Sequence, residues 1–86
     1  MSVHQVLITG HGFSPRRVRI AAGDVVKFDN IDHTVHGVEI ISPTILTPGS
    51  GDIQPGNSYS IRFPVIGFYV YHDARFSQFV GTVRVV

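Results

Sequence analysis

The sequence contains no cysteine and no tryptophan, and only 15% of its 86 residues are charged. Without a thiol, the chain can form no disulfide and can offer no thiolate to a metal ion or a substrate. No run of about 18 apolar residues occurs, which excludes a transmembrane helix. The net charge is only +1, which argues against nucleic acid as the main partner. No complete set of catalytic groups is visible, so we expect no enzyme.

Residues that favour β-strands dominate the remainder of the chain, and glycine and proline interrupt it at short intervals. A hydrophobic content of 43% in 86 residues predicts one folded domain, spanning residues 1–86. Alternation of apolar and polar residues predicts strands at 2–9, 16–20, 25–30, 34–41, 58–63, 68–73 and 80–86. Residues 42–57 are predicted to form a long irregular connection, with room for one short strand. About seven short strands at this spacing are typical of a β-sandwich or barrel.

Several segments resemble the small cupredoxins of the plastocyanin and amicyanin type. Together these segments span nearly the whole chain: 13–30, the His-Thr-Val-His run at 33–36, 53–63, 67–72 and 81–85. The resemblance implies an all-β, Greek-key β-sandwich of seven to eight strands. It also implies membership of an electron-transfer family that works in the periplasm or outside the cell, although no signal peptide is visible.

The resemblance also implies which positions of this chain correspond to the copper ligands of the family. The family holds copper with one early histidine and with a cysteine, a histidine and a methionine of the last loop. The early histidine corresponds to His33, whereas the three later ligands are replaced by Asp73, Phe76 and Phe79. Gly81 falls where the family has a glycine, so the frame of the loop is kept. Because a blue-copper centre requires a thiolate, that centre cannot form.

Asp73 is the unusual replacement, since strand parity directs it inward, towards His33. A buried carboxylate needs a partner, and two interpretations remain open. In the first, His33 and Asp73 hold a weakly bound Cu(II) or Zn(II), with His36 or His72 as a further ligand. In the second, His33 and Asp73 form a hydrogen-bonded pair without metal. Parity places His72 on the opposite face of its strand.

Two functions follow from these alternatives. One is a divergent, non-blue metal-binding (copper) protein, and the other is a metal-free module that acts in protein docking or oligomerisation. We expect Phe76 and Phe79 to fill the vacated site, with Phe76 partly exposed. Residues 74–80 are then the surface for a protein partner or a second copy of the chain.

Three further features bear on experiments. Asn30 corresponds to a family asparagine that ties the two ligand loops together. If Met1 is removed, Ser2-Val3-His4 becomes a tripeptide that can bind Cu(II) in a square plane. A basic row at Arg16, Arg17 and Arg19 is interpreted as a solvated face, because the net charge is near zero.

Overall fold

The computed structural model describes residues 1–43 and 49–86. Within those ranges the chain forms eight strands and no helix, which confirms the prediction of an all-β sandwich. The strands are β1 Val3–Thr9, β2 Gly12–Ser14, β3 Arg17–Ile20, β4 Val25–Asn30, β5 Val38–Ser42, β6 Ser58–Arg62, β7 Gly67–Asp73 and β8 Val80–Val85. No helix in the described ranges is long and apolar enough to cross a membrane.

The strands form two four-stranded sheets, in the orders β2-β1-β4-β6 and β3-β8-β7-β5. Strand β1 lies parallel to β4, and β3 lies parallel to β8, whereas the other pairs are antiparallel. Every connection from β2 to β7 passes from one sheet to the other, which is the crossing pattern of a Greek-key sandwich. The edge strands are β2 and β6 in the first sheet and β3 and β5 in the second.

The core lies between the sheets and is made by the alternate, inward-facing residues of each strand. Its centre is an aromatic cluster in which the Tyr71 ring meets Phe13 and Phe28 edge-on, at centroid distances of 4.7 and 5.1 Å. The buried apolar residues are Val6, Ile8, Phe13, Ile20, Val26, Phe28, Val38, Ile53, Phe63, Tyr69, Tyr71, Val83 and Val85. Burial of these side chains is the main stabilising contribution to the fold.

Close packing of Tyr71 explains the glycine at position 81. The two residues are paired across β7 and β8. A Cβ atom at position 81 would overlap with Cζ and with the hydroxyl of Tyr71. The tyrosine ring therefore occupies the space that any side chain at position 81 would need.

The structure corrects the start of one predicted strand and adds a strand that was not predicted. The predicted strand at 34–41 begins only at Val38, because the segment before it is held by side-chain hydrogen bonds, and His36 makes an isolated bridge with Ile53. Ile53, one partner of that bridge, lies within the predicted irregular connection 42–57, of which residues 44–48 are outside the described ranges. Strand β2 lies between the predicted strands 2–9 and 16–20, where no strand is predicted.

Candidate functional site

One end of the sandwich carries a cluster of three ionisable side chains, of which His36 and Asp73 are buried and Asp32 is partly exposed. Asp73 is the last residue of β7, His36 lies just before β5, and Asp32 follows β4. The Nδ1 atom of His36 lies 2.5 Å from Oδ2 of Asp73, and its Nε2 atom lies 2.8 Å from Oδ2 of Asp32. The His36 ring therefore stands between two carboxylates and is hydrogen-bonded to both.

Hydrogen bonding links the protonation of the ring to that of the two carboxyl groups. A neutral imidazole carries one N–H and can donate to only one carboxylate, whereas an imidazolium donates through both nitrogens. If both carboxylates are ionised, the ring between them has to be an imidazolium, because each oxygen then needs an N–H donor. Donation by His36 is the main reason that the pKa of Asp32 lies below its usual value, and the backbone amide of His33 contributes next. Because His36 and Asp73 are both buried, each charge depends on the other for compensation.

The second oxygen of Asp73 connects two loops. Its Oδ1 atom accepts hydrogen bonds from the backbone N–H groups of Gly37 at 3.4 Å, Arg75 at 2.8 Å and Phe76 at 3.3 Å. The Arg75 side chain in turn makes two hydrogen bonds, of 3.1 and 2.8 Å, to the carboxylate of Asp52. Asp73 therefore fixes the start of the 74–80 loop against the segment that carries His36.

Two phenylalanines cover the His36 ring. The Phe76 and Phe79 centroids lie 5.2 and 6.4 Å from that of His36, and 5.7 Å from each other. Both rings are half-buried, so they fill the end of the sandwich and also reach its surface. This agrees with the expectation that Phe76 is partly exposed, and Phe79 is partly exposed as well.

The structure corrects the predicted partner of Asp73, which is His36 and not His33. The Asn30 side chain accepts from the backbone N–H of Asp32 at 3.0 Å and donates to the carbonyl oxygen of Thr34 at 2.9 Å. These bonds close a tight loop that leaves His33 exposed and brings His36, three residues later, into the interior.

His72 lies on the outward face of β7, as its parity predicts. It is half-buried, and its Nε2 atom lies 2.9 Å from Oε1 of Glu39 on the neighbouring strand. His72 therefore belongs to a separate hydrogen-bonded pair on the surface of the sheet, away from the inward-facing Asp73.

Asn30 does tie segments together, but not the two loops that the resemblance implies. Its Nδ2 atom also donates to the carbonyl oxygen of Ile53, at 2.8 Å. It thus joins its own loop to the segment before β6, while the tie to the 74–80 loop is made by Asp73. Asp32 was not selected from the sequence. The one sequence signal for Asp32 is its position four residues before His36. That spacing is common to many unrelated residue pairs, so it does not single out Asp32.

The cluster does not fit a copper ion. Within residues 1–43 and 49–86, no group of three or more histidine, aspartate or glutamate side chains is arranged to hold a metal. The two carboxylates lie on opposite sides of the His36 ring and do not converge on one point. Phe76 and Phe79 offer no donor atom, and no thiolate exists in the chain.

Comparison with known proteins finds similarity at the level of structure. No protein-family model and no curated protein matches the sequence. A purple cupredoxin from Nitrosopumilus maritimus gives a TM-score of 0.89 at 23% identity, over 96% of this chain and 99% of its own. An oxidised mutant of amicyanin gives 0.91 at 21% identity, over 98% and 82%. A copper-containing nitrite reductase from Thermus scotoductus SA-01 gives 0.86 at 26% identity, over 96% of this chain but 22% of the enzyme.

These similarities extend over nearly the whole of this chain. Identities this low establish the fold alone. The cysteine-free cluster of Asp32, His36 and Asp73 is consistent with a degenerate metal site. The chain therefore has the cupredoxin fold.

Proposed function

We propose that this chain is a metal-independent cupredoxin-fold domain that acts by docking to another protein. The observation that carries the proposal is the hydrogen bonding of the buried pair. Both ring nitrogens of His36 and both carboxylate oxygens of Asp73 already have partners within the chain. Asp73 thereby takes over a role that a metal ion can serve, the connection of two loops at one end of the sandwich.

The alternative is a non-blue site for Cu(II) or Zn(II), and the geometry disfavours it. An ion bound to one ring nitrogen of His36 can reach only the carboxylate on that side of the ring. It would have two protein ligands, fewer than the three or four of well-defined zinc sites. It would also break a buried hydrogen bond.

The surface proposed for docking is the 74–80 loop. The hydrogen bonds to Asp73 order the start of this loop before any partner arrives, which lowers the entropic cost of association. Phe76 and Phe79 are half-buried, so part of each aromatic ring remains accessible at this end of the sandwich. Aromatic side chains at a rigid surface are frequent anchors of protein interfaces. By the resemblance, we place this function in the periplasm or outside the cell.

We do not assign a catalytic role to the cluster. His36 is 1% exposed and lies beneath two phenylalanine rings, so it has no open path to a substrate. The described residues around it include no hydroxyl or thiol nucleophile hydrogen-bonded to the ring. The proposal is therefore a binding function rather than an enzymatic one.

The metal-independent character can be tested by titration with Cu(II) and with Zn(II), followed by calorimetry. The N-terminus should be acetylated, because a free Ser2-Val3-His4 end would bind Cu(II) by itself. We expect no stoichiometric binding by the wild type, by His36→Ala or by the control His72→Ala. Stoichiometric binding that is lost in His36→Ala and kept in His72→Ala would contradict the proposal.

Docking through the loop can be tested with Phe76→Ser and the matched loop control Gln78→Ser. Association is followed by sedimentation for self-association and by cross-linking for a protein partner. We expect Phe76→Ser to weaken association and Gln78→Ser to leave it unchanged. Unchanged association in Phe76→Ser, together with a large loss of thermal stability, would show that Phe76 is only a core residue.

A further inference from the structure

Charge is distributed unevenly over the surface of this protein. Every acidic side chain has a basic or histidine partner within 4 Å. The pairs are Asp24 with His4, Asp29 with Lys27, Asp32 and Asp73 with His36, Glu39 with His72, and Asp52 with Arg75. Five arginines have no such partner among the described residues, and four of them lie together: Arg16, Arg17, Arg19 and Arg84.

These four residues are called the arginine face: Arg17 and Arg19 lie on β3, Arg84 lies on β8, and Arg16 directly precedes β3. The register pairs Arg17 with Thr82 and Arg19 with Arg84. Val18 and Ile20 of β3 alternate with Arg17 and Arg19 and pack towards the core, as Val83 and Val85 do on either side of Arg84. The side chains of Arg17, Arg19 and Arg84 therefore point outward. All four arginines are exposed. The chain has a net charge of only +1, so this face is much more positive than the molecule as a whole.

The arrangement is unfavourable for the isolated chain. Arg19 and Arg84 are register partners on neighbouring strands, and like charges placed directly opposite destabilise a sheet. The next residue in this row, on β7, is Phe68, which offers no negative charge. An anion bound over the row would remove the repulsion, so the face has a physical reason to prefer an acidic partner.

Apolar side chains border the same face. Phe68 is 57% exposed and lies beside Arg84, while Ile66 and Val86 are 66% and 49% exposed. Together with Arg84 these three side chains line one shallow groove. An exposed aromatic ring next to arginine is the composition found at energetically important positions of protein interfaces.

Unpaired backbone groups of β3 indicate what kind of acidic partner fits the arginine face. β3 is an edge strand, and its bonds to β8 use the carbonyl oxygens of Arg16 and Ile20. Because successive residues of a strand point their N–H and C=O groups to opposite sides, those of Arg17 and Arg19 face away from β8. None of these groups has a backbone partner within residues 1–43 and 49–86. An open edge can accept an added strand from another protein.

We propose that the arginine face and the β3 edge bind an acidic, extended segment of a partner protein. The segment adds a strand beside Arg17 and Arg19, and its carboxylates pair with the four arginines. A second copy of this chain is a poor occupant, since it would bring the same positive charges. Nucleic acid is also disfavoured, because it has no backbone N–H groups for the exposed carbonyl oxygens of the edge. This surface is distinct from the 74–80 loop and does not depend on it.

The probe is a short fluorescent peptide of alternating glutamate and threonine, titrated at low ionic strength and followed by anisotropy. The test variant is Arg19→Glu/Arg84→Glu. The control, Lys27→Glu/Arg62→Glu, makes the same change of charge on the other sheet. We expect at least about a tenfold loss of affinity in the test variant and little change in the control. Equal losses would mean attraction by net charge alone and would overturn the proposal, as would no binding by the wild type.

Two further measurements separate the alternatives. A glutamate–proline peptide of equal charge cannot donate backbone hydrogen bonds, so we expect weaker binding, and equal binding would overturn strand addition. An oligothymidylate that binds more tightly than the peptide would overturn the choice of a protein partner. A wild-type NMR titration needs no variant to fold, and we expect shifts at residues 17–19 and 82–84. Shifts confined to 74–80 would overturn the assignment of this face and would leave the proposed docking loop intact.

Discussion

The imidazole of His36 and the carboxylate of Asp73 form a hydrogen-bonded pair with almost no access to water, at 1% and 0% exposure. The pair joins the end of β7 to the segment before β5, and Asp32 completes it from the partly exposed side. A buried ion pair of this kind is costly to break, since either partner alone would be an uncompensated charge. The stability of this end of the sandwich therefore depends on side-chain charge.

Removal of the Asp73 carboxylate should strongly destabilise the protein. We expect Asp73→Ala to lower the free energy of unfolding by about 3–5 kcal/mol, because it leaves His36 buried with one partner fewer. Asp73→Asn keeps an acceptor for the loop amides and should cost less. The control Asp52→Ala removes an exposed pair with Arg75 and should cost at most about 1 kcal/mol. Urea unfolding gives the values, and equal small effects of Asp73→Ala and Asp52→Ala would contradict the role of the cluster.

A copper site should be recoverable by substitution of three residues. The resemblance implies that Asp73→Cys/Phe76→His/Phe79→Met restores the loop ligands, and His36 already lies beside position 73. We expect the wild type to stay colourless with Cu(II), and the triple variant to show the intense visible absorption of copper–thiolate bonding.

The triple variant can also show whether His36 or His33 is the remaining copper ligand. Addition of His36→Ala should abolish the absorption, whereas addition of His33→Ala should leave it, because His33 is exposed. The opposite pattern in the visible spectrum would restore His33 as the ligand position.

Substitutions at Tyr71 and at Gly81 should have different effects on the stability of the protein. The buried hydroxyl of Tyr71 has no hydrogen-bond partner in the described ranges, and burial raises its pKa. Tyr71→Phe should therefore leave stability unchanged or raise it by up to about 1 kcal/mol. Gly81→Ala places a methyl group against the tyrosine ring and should cost about 1–3 kcal/mol. Thermal unfolding of the two variants checks both values, and a destabilised Tyr71→Phe would show that the hydroxyl has a partner, such as a bound water.

Acid should destabilise the protein through protonation of Asp24. This residue directly precedes β4, at the end of that strand opposite to Asp32. The pKa of Asp24 is lowered from 3.8 to about 2, first by the backbone N–H of Ser2 and then by His4. Because the folded state favours the ionised form, the stabilisation is complete above about pH 4 and is lost as the pH falls towards 2. Urea unfolding across this range should show a smaller loss in Asp24→Asn than in the wild type, while the control Asp29→Asn should follow the wild type. Parallel curves for all three would contradict the assignment.

Strand parity was the most informative feature of the sequence around the site. Alternation along β7 correctly placed Asp73 inward and His72 outward, because side chains of a strand must point to opposite faces. No equivalent rule holds for the loop after β4, where the direction of each side chain depends on turn hydrogen bonds. The choice between His33 and His36 was therefore decided by Asn30, which closes the loop around Asp32 and Thr34.

By itself, the sequence determined the fold class, the absence of a thiolate and the inward position of Asp73, because these follow from composition and from the two-residue period of a strand. Tertiary structure decided what meets Asp73: His36 comes from 37 residues earlier in the chain, and Asp32 reaches the same ring from its other side. It also decided that Arg84 lies opposite Arg19, far apart in sequence but paired where β8 lies along β3. Contacts of this kind depend on how the two sheets are assembled, and the local pattern of residues does not specify that assembly.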